Sequence, residues 1–269
     1  VNRKMDWSRA KTILIITFLC LNAFLIFQLI EKRNVNHMSV MAQDDHSFQQ
    51  QLGHRNIELQ LDDPEVNVES RYISGNGQQF GDEQQQAITE ELDDQTVEFR
   101  RNGQLIESEL DEPYELTGLD TALSAEAFMS DYLYMGDEYE FASYEDNEEG
   151  GGVIRAYQTF EGETLRYRDH EAHVVLELND DGLITGYRQR YMNFSPQVAP
   201  ELITPIEAVR VVVTEYGIVD AVIDEAELGH YNITPANMDA PEYYAPMWRI
   251  SVDGDYFYVN AHNSEVWTD

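Results

Sequence analysis

Residues 204–217 read TPIEAVRVVVTEYG, a helix with both of its ends marked. Thr204 is an N-cap residue, Pro205 suits the first helical position, and Glu207 completes a capping box. Ile206, Val209, Val213 and Tyr216 recur at helical spacing, and Gly217 ends the run. Strand-like segments follow at 222–233, 245–252 and 256–261, with a turn at Asp253-Gly254 between the last two.

The same order occurs once before. Ser124 is a candidate N-cap for a helix that runs to Gly136, with Phe128, Leu133 and Met135 as its apolar positions. Strand-like segments follow at 139–144, 153–160, 173–178 and 183–194, with a turn at Asp180-Asp181-Gly182. Two helix-plus-strands units are therefore expected, at 123–195 and 203–269. Upstream, 56–122 reads as a strand and hairpin region. Ile57, Leu59 and Leu61 alternate with polar residues, Pro64 interrupts, and a short helix at 82–92 carries Ile88 and Leu92. Alternating segments at 96–101 and 104–110 flank Asn102-Gly103, a strong hairpin signal. Helices set apart from antiparallel strands predict an α+β fold.

The N-terminal region has a different character. Residues 12–30 read TILIITFLCLNAFLIFQLI, 19 residues without a charge. As a helix they span about 28 Å at about 1.5 Å per residue, close to the roughly 30 Å of a hydrocarbon core. Arg3, Lys4, Arg9 and Lys11 precede the segment against one Asp6, which keeps residues 1–11 in the cytoplasm and places the rest outside. The apolar core exceeds the roughly 7–15 residues of a secretory h-region, so an uncleaved single-pass anchor is expected. Residues 31–55 are polar, rich in Gln, Asn and His, and read as a linker.

Cys20, inside the apolar segment, is the single cysteine, so the outer region holds together without disulfides. Of the 51 acidic residues, 49 lie beyond residue 33, against 11 cations there, all arginine. So negative a field disfavours nucleic acid as a partner. Arginine keeps its proton where lysine begins to lose it, which suits an alkaline or salty exterior. A fold whose stability collapsed at about pH 9–10 would count against that reading.

Catalytic signatures are missing. His170-Glu171-Ala172-His173 resembles a shortened zinc motif, but its histidines are three apart instead of four and fall where a turn enters a strand. They are expected to face opposite ways as solvated strand-end residues, with no metal between them. The acidic run from Glu145 through Glu149 lacks the ligand alternation of a calcium loop and reads as solvated. Arg188 and Arg190 share one strand face and are expected in ion pairs. Tyr243, Tyr244, Trp248, Tyr256, Phe257, Tyr258 and Trp267 read as core and cross-strand packing. No nucleophile elbow, phosphate loop or dinucleotide fingerprint is present. The reading is therefore of a protein without enzymatic activity, cofactor, metal or small-molecule substrate.

The run Met5-Asp6-Trp7-Ser8-Arg9-Ala10-Lys11-Thr12, followed by Leu21-Asn22-Ala23-Phe24-Leu25 in the apolar segment, resembles the start of the YycI family. Ala245-Pro246-Met247-Trp248-Arg249-Ile250 and Tyr258-Val259-Asn260-Ala261 are similar to that family's end. Asn263-Ser264 departs from it, standing where a Gly-containing turn is usual. The second helix-plus-strands unit also resembles PepSY-type modules. The YycI resemblance implies a membrane-anchored accessory protein that acts with a sister protein, YycH, on the cell-wall-controlling sensor histidine kinase WalK (YycG), largely through membrane helices. On such a helix Thr17, Asn22 and Gln28 are the candidate contact residues, since an amide in hydrocarbon is stabilised by a bond to a neighbouring helix. The competing expectation is a PepSY-like binding module that inhibits a protease or senses an envelope ligand.

Overall fold

The computed structural model describes residues 17, 18, 21, 48–61, 69–117, 120–147, 150–168, 171–198, 201–234 and 240–268. The chain divides into two compact units, Val1–Glu58 and Leu59–Asp269. Within the first, residues 17, 18, 21 and 48–54 are helical. Phe48 and Leu52, four residues apart, are buried, although the Gln-rich composition around them suggested only a linker. No helix among the described residues is long and apolar enough to cross a membrane; most of 12–30 lies outside those residues.

The second unit is α+β. After the two-residue β1 (Glu58–Leu59), the elements run β2 (Ile73–Gly77), α1 (Asp82–Glu91), β3 (Gln95–Arg100), β4 (Leu105–Tyr114) and α2 (Thr121–Tyr132). Then come β5 (Tyr139–Asp146), β6 (Gly152–Phe160), β7 (Glu163–Arg166), β8 (Val174–Leu178), β9 (Ile184–Gln189) and β10 (Met192–Pro196). The chain closes with α3 (Pro205–Glu215), β11 (Val222–Asn232), β12 (Glu242–Val252), β13 (Asp255–Asn260) and β14 (Val266–Thr268).

Strand pairing follows the order β10-β2-β12-β11-β7-β6-β8-β9-β4-β3. After α2 the chain builds β5, β6, β8 and β9, each antiparallel to the next. After α3 it builds β11, β12, β13 and β14, again each antiparallel to the next. The β3–β4 hairpin extends the first series at β9. β10 and β2 extend the second at the start of β12. The series join where β7 forms a hairpin with β6 and pairs parallel to β11 at His230–Tyr231.

Core residues follow from local pattern. Ile88, Ile106, Phe128, Met129, Ile154, Leu176 and Tyr187 fill the space between the first series and its helices. Beneath α3, Val209, Val212 and Val213 are buried, as are Ile223, Ile250 and Val259 of the strands it crosses. Burying a Val or Ile side chain stabilises by about 1.5–3 kcal/mol, so such layers hold a disulfide-free unit together.

Three sequence expectations are corrected. The buried stripe of α3 is Pro205, Ala208, Val209, Val212 and Val213; Ile206 is only half-buried and Tyr216 is 45 % exposed. Small Ala208 lets the helix approach the sheet, while Tyr216 stacks edge-on against Phe257. The N-cap of α2 is Asp120, not Ser124: its Oδ1 accepts from the N–H of Ala122 (2.9 Å) and Leu123 (3.4 Å). The expected strand 183–194 breaks after Gln189, because there the chain leaves one series and enters the other as β10.

Turn chemistry is local and reads as written. Asp253 (φ 52°) and Gly254 (φ 92°) make the β12–β13 turn. Ser264 also takes a positive φ of 62°, within the Asn263-Ser264 step where the family resemblance implied a Gly-containing turn. Gly136 is needed for a different reason: a Cβ there would lie 1.7 Å from the Met129 carbonyl oxygen, so the chain turns back directly onto the end of α2.

Candidate functional site

The chemistry of the folded unit concentrates where the two series of strands meet. Glu242 opens β12 and points inward, and Tyr244 lies on the same side two residues later. Asn232 ends β11, Tyr167 follows β7, His173 precedes β8, and Arg190 sits in the step between β9 and β10. Five segments thus converge on one carboxylate.

Glu242 Oε1 accepts from Arg190 Nη2 at 2.6 Å. Its Oε2 accepts from Tyr167 Oη (2.6 Å), Tyr244 Oη (2.6 Å) and Asn232 Nδ2 (2.8 Å). Both charged side chains are deeply buried, with 10 % and 6 % exposure for Arg190 and Glu242. Burial pushes the Glu242 carboxyl up, but the Arg190 guanidinium and the donated hydrogen bonds outweigh it and hold the group below its ordinary value. A buried ion is tolerated only when its remaining lone pairs are satisfied, and here four donors satisfy them.

His173 extends the cluster. The Gln158 N–H donates to its Nδ1 at 3.0 Å, so the neutral ring carries its proton on Nε2. That proton points to Tyr244 Oη at 3.0 Å, and Tyr244 in turn donates to Glu242. Burial, opposed by Glu242 and reinforced by Arg190, lowers the His173 pKa to about 3. Tyr167 and Tyr244 are pushed up, first by burial and then by neighbouring charge. The ordinary state is therefore one anion, one cation, two phenols and a neutral imidazole, a lock and not a proton relay.

A second buried histidine ties in the incoming chain. His230 Nε2 lies 2.9 Å from the Arg71 carbonyl oxygen and 3.1 Å from Ser70 Oγ, and burial lowers its pKa. On the β3–β4–β9 surface, a cavity of about 360 Å³ is lined by Glu98, Arg100, Glu107, Glu177 and Arg188 among others. Both of its arginines are paired within the chain: Arg100 with Glu98 and Glu107, and Arg188 with Glu177.

Of the residues singled out from sequence, Thr17 is exposed on its helical turn, while Asn22 and Gln28 lie outside the described residues. His170 lies outside them too. His173 is not the solvated residue expected; the approach to β8 turns it into the interior, where it is 1 % exposed. Arg188 and Arg190 part company at the end of β9. The first makes a surface pair with Glu177, and the second makes the buried pair with Glu242. Glu145 pairs with Arg155, and Glu148 and Glu149 are outside the described residues. Tyr244, Trp248 and Tyr258 are buried as expected of core aromatics, but Tyr243 and Tyr256 are 47 % and 40 % exposed. Sequence reasoning missed Glu242, Tyr167 and Asn232. The one available signal was that Glu242 shares strand parity with Tyr244, an acid on the inward face of an apolar strand. Among the described residues, no group of three or more His, Cys, Asp or Glu is placed to hold a metal ion.

The family model described as "YycI protein" matches residues 35–262. The chain belongs to the YycI family. Proteins of this family are membrane-associated regulatory accessory proteins of the WalK/YycG system. No curated protein matches this YycI-family chain. Nine solved chains do. One, an uncharacterized protein from Eubacterium rectale, is 11 % identical, with a TM-score of 0.46 over 80 % of this chain and 91 % of that one, too distant to bear on function.

Proposed function

We propose that this chain is a non-enzymatic regulator of a sensor histidine kinase of the WalK/YycG type that controls cell-wall metabolism. In this reading residues 12–30 hold it in the cell membrane as a single span, with residues 1–11 inside and the acidic region outside. A YycH-like protein is its second partner. The YycI match over residues 35–262 carries the reading. Supporting it are the charge-free segment 12–30 and the basic residues before it. The regulator acts by binding one kinase conformation better than another, and can shift the kinase only by that difference in affinity. Thr17, Asn22 and Gln28 supply the helix contacts, and the outer unit supplies a surface for the sister protein.

Phosphorylation of the co-reconstituted kinase in membranes tests this, with the full chain, with residues 1–33, and with neither. A change in phosphorylation with the full chain is expected, and part of it persists with the short fragment. No change with either form would remove the kinase reading.

A second reading is favoured by one feature, the repeated order of a helix followed by a four-strand antiparallel series, α2 with β5, β6, β8 and β9 and α3 with β11, β12, β13 and β14. It takes the outer unit, through its second helix-plus-strands unit at 203–269, as a PepSY-like binding module that inhibits a protease or senses an envelope ligand. It predicts full activity from the outer unit without the anchor.

A further inference from the structure

β10 is the last strand at its end of the pairing order. The Gln78 N–H donates to the Tyr191 carbonyl at 2.8 Å and the Gln197 N–H to the Tyr72 carbonyl at 2.7 Å, with Asn193 opposite Asn76 and Ser195 opposite Ser74. Antiparallel pairing alternates, so the backbone groups of Met192, Phe194 and Pro196 point away from β2, toward the open edge.

Each outward position is treated differently. At Met192 the Gln158 side chain stands in for a missing strand: its Oε1 accepts from the Met192 N–H (2.9 Å), and its Nε2 donates to the Met192 carbonyl (3.1 Å). A primary amide offers the same donor and acceptor as a peptide group. Pro196 has no N–H to offer. Phe194 keeps both groups, and beside it lies a cavity of about 400 Å³. Gln158 and Met192 are among the residues that line it. Thr159, Phe160, Tyr191 and Phe194 line it too, with the acids Glu138 and Glu161. The Phe160 and Phe194 rings lie 5.9 Å apart. Glu161 already pairs with Arg71, whereas among the described residues Glu138 is in no ion pair.

We infer that this slot takes up an extended, basic peptide segment of a partner protein by strand addition to β10. The incoming chain continues the line begun by the Gln158 amide and exchanges two backbone hydrogen bonds with Phe194. Main-chain bonds of this kind give affinity, and alternate side-chain positions give selectivity. One set of its side chains lies against Phe160 and Phe194, and a cation on the other set meets Glu138. The volume is within the usual range of about 300–1,000 Å³ for binding clefts. The formal charge of −34 favours a cationic occupant over an acidic one.

The test uses the full chain in nanodiscs and no kinase, so its outcome is separable from that of the phosphorylation assay. The probes are three blocked pentapeptides: RVTVR, the same peptide with alternate backbone nitrogens methylated, and EVTVE. The expected result is at least tenfold tighter binding of RVTVR than of either control, with slowed amide exchange across residues 190–197. Equal affinity for the methylated peptide, preference for EVTVE, or unchanged exchange in that segment overturns the proposal. Phe194→Pro deletes both the outward donor and the ring that lines the slot while sparing the backbone bonds to β2, and a tenfold loss of RVTVR binding is expected. If that variant fails to fold, Asn193→Lys replaces an exposed side chain lining the slot with a competing cation. It should weaken RVTVR at least tenfold, and undiminished binding refutes the slot.

Discussion

Arg190 Nη2 and Glu242 Oε1 meet at 2.6 Å in the interior, although the two residues come from different series of strands. The pair is the ionic centre of the junction. Breaking a buried pair by removing one partner costs about 3–5 kcal/mol, because the other charge is left uncompensated. Arg190→Met and Glu242→Gln should each lower unfolding free energy by about that amount. The double variant should lose less than the sum of the two. Urea denaturation of all three variants measures this, and strict additivity would show that the two side chains do not act together.

Stability should fall in acid, and His173 sets much of the slope. Its folded pKa is about 3, against an ordinary 6.5. Between those values the unfolded state binds a proton that the folded state does not. The contribution is therefore fully present above about pH 6.5 and is lost as pH falls toward 3, by at most about 1.4 kcal/mol per pH unit. Glu242 has a lowered pKa and acts in the same direction, below the ordinary carboxylate range. His173→Gln should flatten the dependence between pH 6.5 and 4.5. An unchanged slope would assign the acid sensitivity to other groups.

The start of α2 distinguishes two neighbouring polar residues. Asp120 accepts from two N–H groups, whereas Ser124 Oγ is buried without a hydrogen-bond partner. Asp120→Ala should cost about 1 kcal/mol. Ser124→Ala should be neutral or stabilising, since it removes an unsatisfied hydroxyl from the interior. Thermal melts of both variants would reveal the reverse order if Ser124 were the cap.

In the membrane reading, Asn22→Leu should weaken association with partner helices while insertion persists. The interhelical bond it removes is worth about 0.6–2 kcal/mol. Energy-transfer measurements in vesicles between labelled helices report the association, and an unchanged signal would release Asn22 from that role.

Much of the architecture was legible because its signals are short-range. The Thr204–Glu207 capping box forms as read, with the Thr204 N–H donating to Glu207 Oε2 at 2.8 Å. Asn102-Gly103 sits in the loop of the β3–β4 hairpin, with Asn102 at φ 56° and Gly103 at φ 83°. Ile88 and Leu92 are buried at the end of α1. Each feature depends on a few consecutive residues, whose φ preferences and hydrogen-bonding groups act on their own backbone.

What the linear order alone established was therefore the α+β class, the repeated helix-then-strands order, the acidic lysine-free region beyond residue 33 and the charge-free segment 12–30. Tertiary structure was needed for the rest. Arg190 and Glu242 are 52 residues apart, and Tyr167 and Glu242 are 75 apart. Nothing near any of them in sequence says which partner will satisfy a buried charge. β7 is only four residues long and joins β11 in parallel, a pairing set by two distant segments. Even the turning of His173 into the core follows from where β8 lies between β6 and β9. A side chain's burial and charge state depend on everything packed around it, and that environment exists only once the strands are in register.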